Sequence, residues 1–183
     1  MKRIQPALLL VFLLALSGVA PGADDRFAKD APGSMNGFLV VTDARYLKEC
    51  GACHIAYSPG LLPARSWRFV LGSLDKHFGE SLKLAPDAAD AILRYLTENA
   101  MDNSPYAGSK TLLEKLTDGV TPHRIMLIPF VAYRHAVVRE AIAKNGKVQV
   151  KRLANCSDCH TKAAGGSFAL TEMFIPGLTP GTR

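Results

Sequence analysis

Hydrophobic positions recur at helical spacing in three long segments of the chain, and nowhere do they alternate strongly as in a strand. The predicted long helices cover residues 65–78, 86–100 and 129–144. Shorter helices are predicted at residues 46–54, at residues 111–116 and from Cys156 onwards. The repeating apolar positions of the first two long helices are Trp67, Val70, Leu71, Leu74, Phe78, Ala88, Ile92, Tyr95 and Leu96. The pattern predicts a mainly α protein with long loops and little or no β structure.

The N-terminus has the layout of a secretory signal peptide. Lys2 and Arg3 precede an unbroken apolar run over residues 7–16, and small residues follow this run. A run of this length is too short to span a bilayer comfortably. We expect cleavage between Ala20 and Ala23 and export to the periplasm, with no later segment that spans a membrane. An uncleaved membrane anchor is the alternative.

Removal of a signal peptide at residues 1–23 leaves about 160 residues, enough for one compact domain or two small lobes. A loop that begins at Asp118 marks the predicted boundary between an N-terminal lobe, residues 24–118, and a C-terminal lobe, residues 119–183. The polar segment 24–45 is expected to be a surface arm. The chain has a formal charge of +6 but no basic stripe with interleaved aromatic residues, which argues against nucleic acid as a partner.

All four cysteines belong to two copies of the pentapeptide Cys-x-x-Cys-His. This is the attachment motif of c-type haem, in which two thiols form thioethers with the porphyrin and the histidine binds the iron. A thioredoxin-like redox pair would need a βαβ context, and a four-cysteine zinc site would leave both histidines unexplained. The sequence therefore predicts two covalently bound haem c groups. The predicted attachment residues and proximal iron ligands are Cys50, Cys53, His54, Cys156, Cys159 and His160.

Each iron has a second axial position, and three further histidines are candidates for these two positions. His77 and His135 each fall on the apolar side of a predicted helix, where packing can hold an imidazole facing inward. His123 is predicted to lie in a surface loop, where ordering a ligand costs more conformational entropy, and it is the main alternative to His135. A methionine thioether is the other type of ligand to consider. The methionine candidates are Met101, Met126 and Met173. We favour His77 and His135.

The chain resembles the bacterial dihaem cytochrome c family over residues 46–177. The resemblance rests on both haem motifs and on short stretches between and beyond them. These stretches are Leu61-Leu62-Pro63-Ala64-Arg65-Ser66-Trp67, His77-Phe78-Gly79, Arg124-Ile125, Pro129, His135, Asn155, Phe168 and Ile175-Pro176. Phe130 stands where a tryptophan is expected, and His123 is an additional histidine.

The resemblance implies a compact cytochrome c-like protein with two haem lobes, in which His77 and His135 are the distal ligands of two bis-histidine haems. It also implies a soluble electron carrier. Some relatives serve a small oxygen-binding c-type haem protein, and others occur beside or fused to a membrane b-type cytochrome. Covalent attachment would further require the cytochrome c maturation machinery.

Two other functions stay open at this point. The first is a haem enzyme, a peroxidase or a small-oxide reductase, with one iron open to substrate. The second is a haem subunit of a larger periplasmic reductase. The coordination of the two irons distinguishes the enzyme from the electron carrier, because an enzyme of this kind needs an open axial position and a carrier does not.

Overall fold

A computed structural model of the protein describes residues 37–144 and 153–175. The helices of these residues are α1 (Ala44–Cys50), α2 (Ala64–Leu71), α3 (Pro86–Glu98), α4 (Ala107–Glu114), α5 (Pro129–Arg134) and α6 (Ala136–Lys144). Single 3-10 turns cover Pro59–Leu61, Leu74–Lys76, Ile125–Leu127, Cys156–Asp158, Ala163–Gly165 and Leu170–Glu172. The described segments contain no β-strand, so the prediction of a mainly α fold is confirmed.

Within these two segments, no helix combines the length and the apolarity needed to cross a bilayer. The predicted signal peptide, residues 1–23, lies outside the described residues, as does the weakly alternating stretch 147–152.

The hydrophobic core is centred on the packing of α2 against α3. Trp67 of α2 is buried, and Ile92 and Leu96 of α3 have no exposed surface. The indole N–H of Trp67 donates a hydrogen bond to the carbonyl oxygen of Pro59 at 2.8 Å. The one polar atom of this side chain is therefore satisfied inside the core. Burial of each large apolar side chain contributes about 1.5–3 kcal/mol to stability.

The loop after α3 is tied to the start of α2. Asp102 Oδ1 accepts a hydrogen bond from the backbone N–H of Ala64 at 2.9 Å. The carboxylate thus satisfies a free N–H at the helix N-terminus, where negative charge is favourable. Next to it, the N–H of Met101 donates to the carbonyl oxygen of Leu62 at 2.9 Å.

The segment before α1 is part of the core, and the prediction that residues 24–45 form a surface arm is wrong at Phe38. Phe38 is buried, and its backbone N–H donates to the carbonyl oxygen of Gly166 at 2.9 Å. Gly166 has φ +80°, and a Cβ atom there would lie 2.2 Å from the Phe38 carbonyl oxygen. Only glycine fits this approach. The contact crosses the predicted boundary between the two lobes, which itself stays a prediction.

The predicted helix over residues 65–78 is wrong at its C-terminal end, because α2 ends at Leu71. Gly72 caps the helix, and the hydroxyl of Ser73 donates back to the carbonyl oxygen of Phe69 at 2.8 Å. This bond competes with continuation of the helix. The apolar spacing persists beyond the helix because Leu74 is still partly buried in the 3-10 turn that follows.

Other helix bounds differ from the predicted ones by a few residues. The helix predicted at residues 46–54 ends at Cys50, and the one predicted at residues 111–116 begins at Ala107. The helix predicted over residues 129–144 is divided into α5 and α6 at His135.

We predict that Leu96→Ala lowers the free energy of unfolding of the holoprotein by about 2–5 kcal/mol, because the cavity lies in the most tightly buried part of the core. Guanidinium unfolding followed by far-ultraviolet circular dichroism measures this change. The matched control is Leu113→Ala on α4, whose side chain is 37% exposed and whose loss should cost no more than about 1 kcal/mol. Equal costs for the two variants would contradict the assignment of the core.

Candidate haem sites

The first haem motif begins at the end of α1. The Asp43 side chain caps this helix by accepting the N–H of Tyr46 at 2.8 Å, and Cys50 is the last residue of the helix. Cys53 and His54 follow in a turn. His54 Nδ1 lies 2.7 Å from the carbonyl oxygen of Ile55. When Nδ1 carries the proton and donates here, Nε2 is left free to bind a metal.

His77 lies in a loop and not on the apolar face of a helix, so that part of the sequence prediction is wrong. The loop follows the 3-10 turn Leu74–Lys76, and the N–H of Glu80 donates to the carbonyl oxygen of His77 at 3.0 Å. Phe78 has φ +53° and Gly79 has φ +108°. A positive φ is strained for a bulky residue such as Phe78 and persists only where the surroundings hold it.

One such restraint is the side chain of Arg124. Its guanidinium carbon lies 4.1 Å from the centroid of the Phe78 ring, in a cation–π contact. The strained turn is thus held from the side by the segment that precedes α5. The result is a fixed orientation for the neighbouring His77.

The structure brings His54 and His77 together. Their ring centroids are 6.3 Å apart and their planes differ by 19°. Metal–imidazole bonds are about 2.0–2.1 Å long, so two imidazoles on opposite sides of one metal ion have centroids roughly 6 Å apart. The separation therefore fits one iron between the two rings.

The second haem motif forms a compact loop. Its 3-10 turn covers Cys156–Asp158, and the N–H of His160 donates to the carbonyl oxygen of Cys156 at 2.7 Å. From the following segment, the N–H of Phe174 donates to the carbonyl oxygen of Cys159 at 2.8 Å. These bonds fold the chain back over the motif.

Two aromatic contacts brace His160 against the core. The ring of Phe168 lies 5.2 Å from the His160 ring and 5.3 Å from the Phe38 ring, the latter in an edge-on contact. The buried segment before α1 therefore supports the second site. Sequence reasoning missed this role of Phe38, because a single phenylalanine in a polar segment carries no periodic pattern.

His135 is the second histidine at this site. Its Nδ1 lies 2.8 Å from the carbonyl oxygen of Val131, one turn earlier in α5. The centroids of the His135 and His160 rings are 6.0 Å apart, and their planes differ by 65°. The separation again fits one metal ion between two imidazoles.

The alternative ligands lie at different places in the fold. His123 is exposed, and its ring packs 5.7 Å from that of Phe69, in a cleft that also contains His77. Met101 is buried in the core beside Ile92 and Leu96. Met173 lies next to His160 through a backbone bridge between the two residues.

Burial keeps one histidine of each site, His77 and His160, in the form that binds metals. Burial, with a smaller contribution from His135, lowers the pKa of His160 to about 4. The pKa of His77 is also lowered, first by burial and then by His54 and Arg124. Both rings are therefore neutral at pH 7, and a neutral imidazole is the species that coordinates iron. The Nδ1 atom of His160 is buried, and no group of the described residues is its hydrogen-bond partner.

The four thiols suit covalent attachment better than the other kinds of cysteine site. All four cysteines are free of disulfides. Among the described residues, no group of three or more His, Cys, Asp or Glu side chains is placed to hold a metal ion such as zinc. Burial raises the pKa of Cys50 and of Cys156 to about 11, so neither is an activated redox thiol.

The model of the dihaem cytochrome c family matches residues 46–168, which include both haem motifs. The chain belongs to this family. Membership agrees with the resemblance noted in the sequence and confirms the expectation of two covalently bound haem c groups. No curated protein matched the chain.

Solved structures of the same family have a similar fold. The diheme cytochrome c from Rhodobacter sphaeroides is 38% identical, with a TM-score of 0.60 and coverage of 71% of this chain and 99% of that one. A diheme cytochrome c from Shewanella baltica OS155 is 31% identical, with a TM-score of 0.57 and coverage of 74% of this chain and 94% of that one. The compact dihaem cytochrome c fold expected from the sequence is thereby confirmed.

We predict that replacing Cys50 and Cys53 together by alanine removes one haem and leaves the other in place. The motifs are separate in the chain, and each one has its own pair of thiols. Intact-mass measurement after expression with the maturation machinery should show two haem additions for the unmodified protein and one for this variant. Loss of neither haem would contradict attachment at these cysteines.

Proposed function

We propose that the protein is a periplasmic electron carrier in which both haem irons have two histidine ligands. His54 and His77 would hold the first iron, and His160 and His135 the second. The covalent attachment residues would be Cys50, Cys53, Cys156 and Cys159.

The observation that carries this proposal is the paired spacing of the imidazoles. The centroid separations of 6.3 Å and 6.0 Å both match the geometry of two imidazoles on one metal ion. The two sites have nearly the same separation between imidazole rings, although their local structures are unrelated. This agreement favours the same iron coordination at both sites. One distal histidine lies in a strained loop and the other between two helices.

Haem supplies a one-electron redox centre whose potential depends on its axial ligands and on its surroundings. The role of this chain's residues would be to keep both axial positions filled and to hold the ligands in place. The Nδ1 atoms of His54 and His135 lie within hydrogen-bond distance of backbone carbonyl oxygens. Such bonds fix the orientation of an imidazole ligand and raise its basicity.

The same pairing argues against the enzyme alternative. A peroxidase or small-oxide reductase needs an iron with one position open to substrate, and here each proximal histidine faces a second imidazole. The reductase-subunit alternative shares the coordination of a carrier and differs only in its partner. Candidate redox partners remain another c-type haem protein or a membrane b-type cytochrome, as the family resemblance implies.

We predict that His77→Ala and His135→Ala each convert one haem from low-spin to high-spin and open its reduced iron to carbon monoxide. Each variant removes one axial ligand and leaves the other site intact. Visible absorption spectra of the oxidised and the carbon monoxide-treated reduced proteins measure both effects.

The matched control for these variants is His123→Ala, because His123 is exposed and packs only near the first site. Its spectra should equal those of the unmodified protein. Carbon monoxide binding by the unmodified reduced protein, or by His123→Ala but not by His135→Ala, would contradict the proposed ligands and would favour the enzyme.

We predict that the exported protein lacks its first 20 to 23 residues and carries two haems. The layout of Lys2, Arg3 and the apolar run over residues 7–16 motivates this expectation. Intact-mass analysis of a periplasmic fraction checks both points at once. Recovery of the full-length chain from the membrane fraction would instead indicate an uncleaved anchor.

A further inference from the structure

Tyr57 contacts both haem motifs, although they are far apart in the sequence. Its ring stacks on the ring of His54, with centroids 4.7 Å apart and planes 25° apart. Its hydroxyl donates a hydrogen bond to the carbonyl oxygen of Ala154 at 2.5 Å, across 97 residues of sequence. One side chain thus touches a proposed iron ligand of the first site and the backbone just before the second motif.

The Ala154 carbonyl group, which accepts the hydrogen bond from Tyr57, is close to the second site. The Ala154 carbonyl oxygen that accepts from Tyr57 is also 3.8 Å from Cys156 Sγ. A cleft of about 200 Å³ is lined by residues 53–55 of the first motif and residues 154–158 of the second. The two haem sites are therefore neighbours, and Tyr57 spans the gap between them.

Tyr57 is itself held by the core. Its carbonyl oxygen accepts a hydrogen bond at 2.9 Å from the hydroxyl of Tyr46, which is buried and packs against Tyr95 of α3. An ordinary tyrosine phenol carries its proton at neutral pH, so the hydroxyl of Tyr57 can donate this hydrogen bond. A fixed backbone and a protonated phenol are what a rigid link between two sites requires.

We propose that Tyr57 is a positioning residue that locks the second haem motif against the proximal ligand of the first and thereby fixes the spacing of the two irons. The proposal rests on the proposed function only in taking His54 as an iron ligand. With a haem held at each site, a single electron passing between them would oxidise one iron and reduce the other, without a change in any bond and without a further reactant. The spacing that Tyr57 maintains would set how readily this exchange occurs.

Two substitutions separate the two contacts of Tyr57. Tyr57→Phe keeps the stacked ring and removes the hydrogen bond to Ala154, whereas Tyr57→Leu removes both. The control is Tyr133→Phe, which deletes the hydroxyl of a tyrosine that is 76% exposed. All measurements use the oxidised or reduced holoprotein with both haems attached.

For Tyr57→Phe we expect a broader distribution of iron–iron distances in pulsed electron paramagnetic resonance. We also expect amide hydrogen exchange in residues 153–155 to be about three to ten times faster, which corresponds to the loss of one hydrogen bond. Tyr57→Leu should show both effects and should also shift the reduction potential of the first haem, because the ring beside His54 is lost. Tyr133→Phe should show none of them.

The proposal is overturned if the distance distribution and the exchange rates of Tyr57→Phe equal those of Tyr133→Phe. Failure of the proposed function gives a different result. If His54 did not bind iron, the potential shift of Tyr57→Leu would be absent while the effects of Tyr57→Phe on distance and exchange would remain.

Discussion

The distance between two imidazole rings is the constraint on which the rest of this structure depends. An iron held by two histidines requires ring centroids roughly 6 Å apart, and an error of one ångström would leave a ligand unbound. The two pairs in this protein meet the requirement at 6.3 Å and 6.0 Å. Each histidine of a pair comes from a different part of the chain, so the spacing has to be set by tertiary packing and not by local sequence.

The packing that sets it is different at each site. At the first site, His77 precedes the strained backbone of Phe78 and Gly79, and Arg124 stabilises this turn through its contact with the Phe78 ring. At the second site, the junction of α5 and α6 carries His135, while Phe168 and Phe38 support the opposite ring. A small domain has a limited core, and covalent haems add large apolar surfaces to it. Among the described residues, the buried core cluster around α2 and α3 includes none of the four paired histidines.

Much of the chemistry was predictable from the sequence, and the geometry was less so. The two pentapeptides predict the attachment thiols and the proximal histidines, because attachment imposes a fixed local spacing. The helical period located α3 well, since its apolar face is continuous from Ile92 to Leu96. The same helical spacing led to a wrong prediction of helix at His77. Gly72 and Ser73 end the helix, whereas the apolar spacing continues beyond its end. Phe38 and Tyr57 were missed for a related reason: each acts through one long-range contact, which leaves no periodic pattern in the sequence.

The electron paramagnetic resonance spectrum of the oxidised holoprotein tests the central claim most directly. The relative orientation of two axial imidazole planes controls the shape of a low-spin ferric signal, and the two sites differ, with angles of 19° and 65°. The account predicts two low-spin signals of equal intensity, a rhombic one from the nearly parallel pair and a more axial one from the steeply inclined pair. His77→Ala should remove the rhombic signal alone. A high-spin ferric signal in the unmodified protein would contradict the account, because it would mean that at least one iron lacks its second histidine.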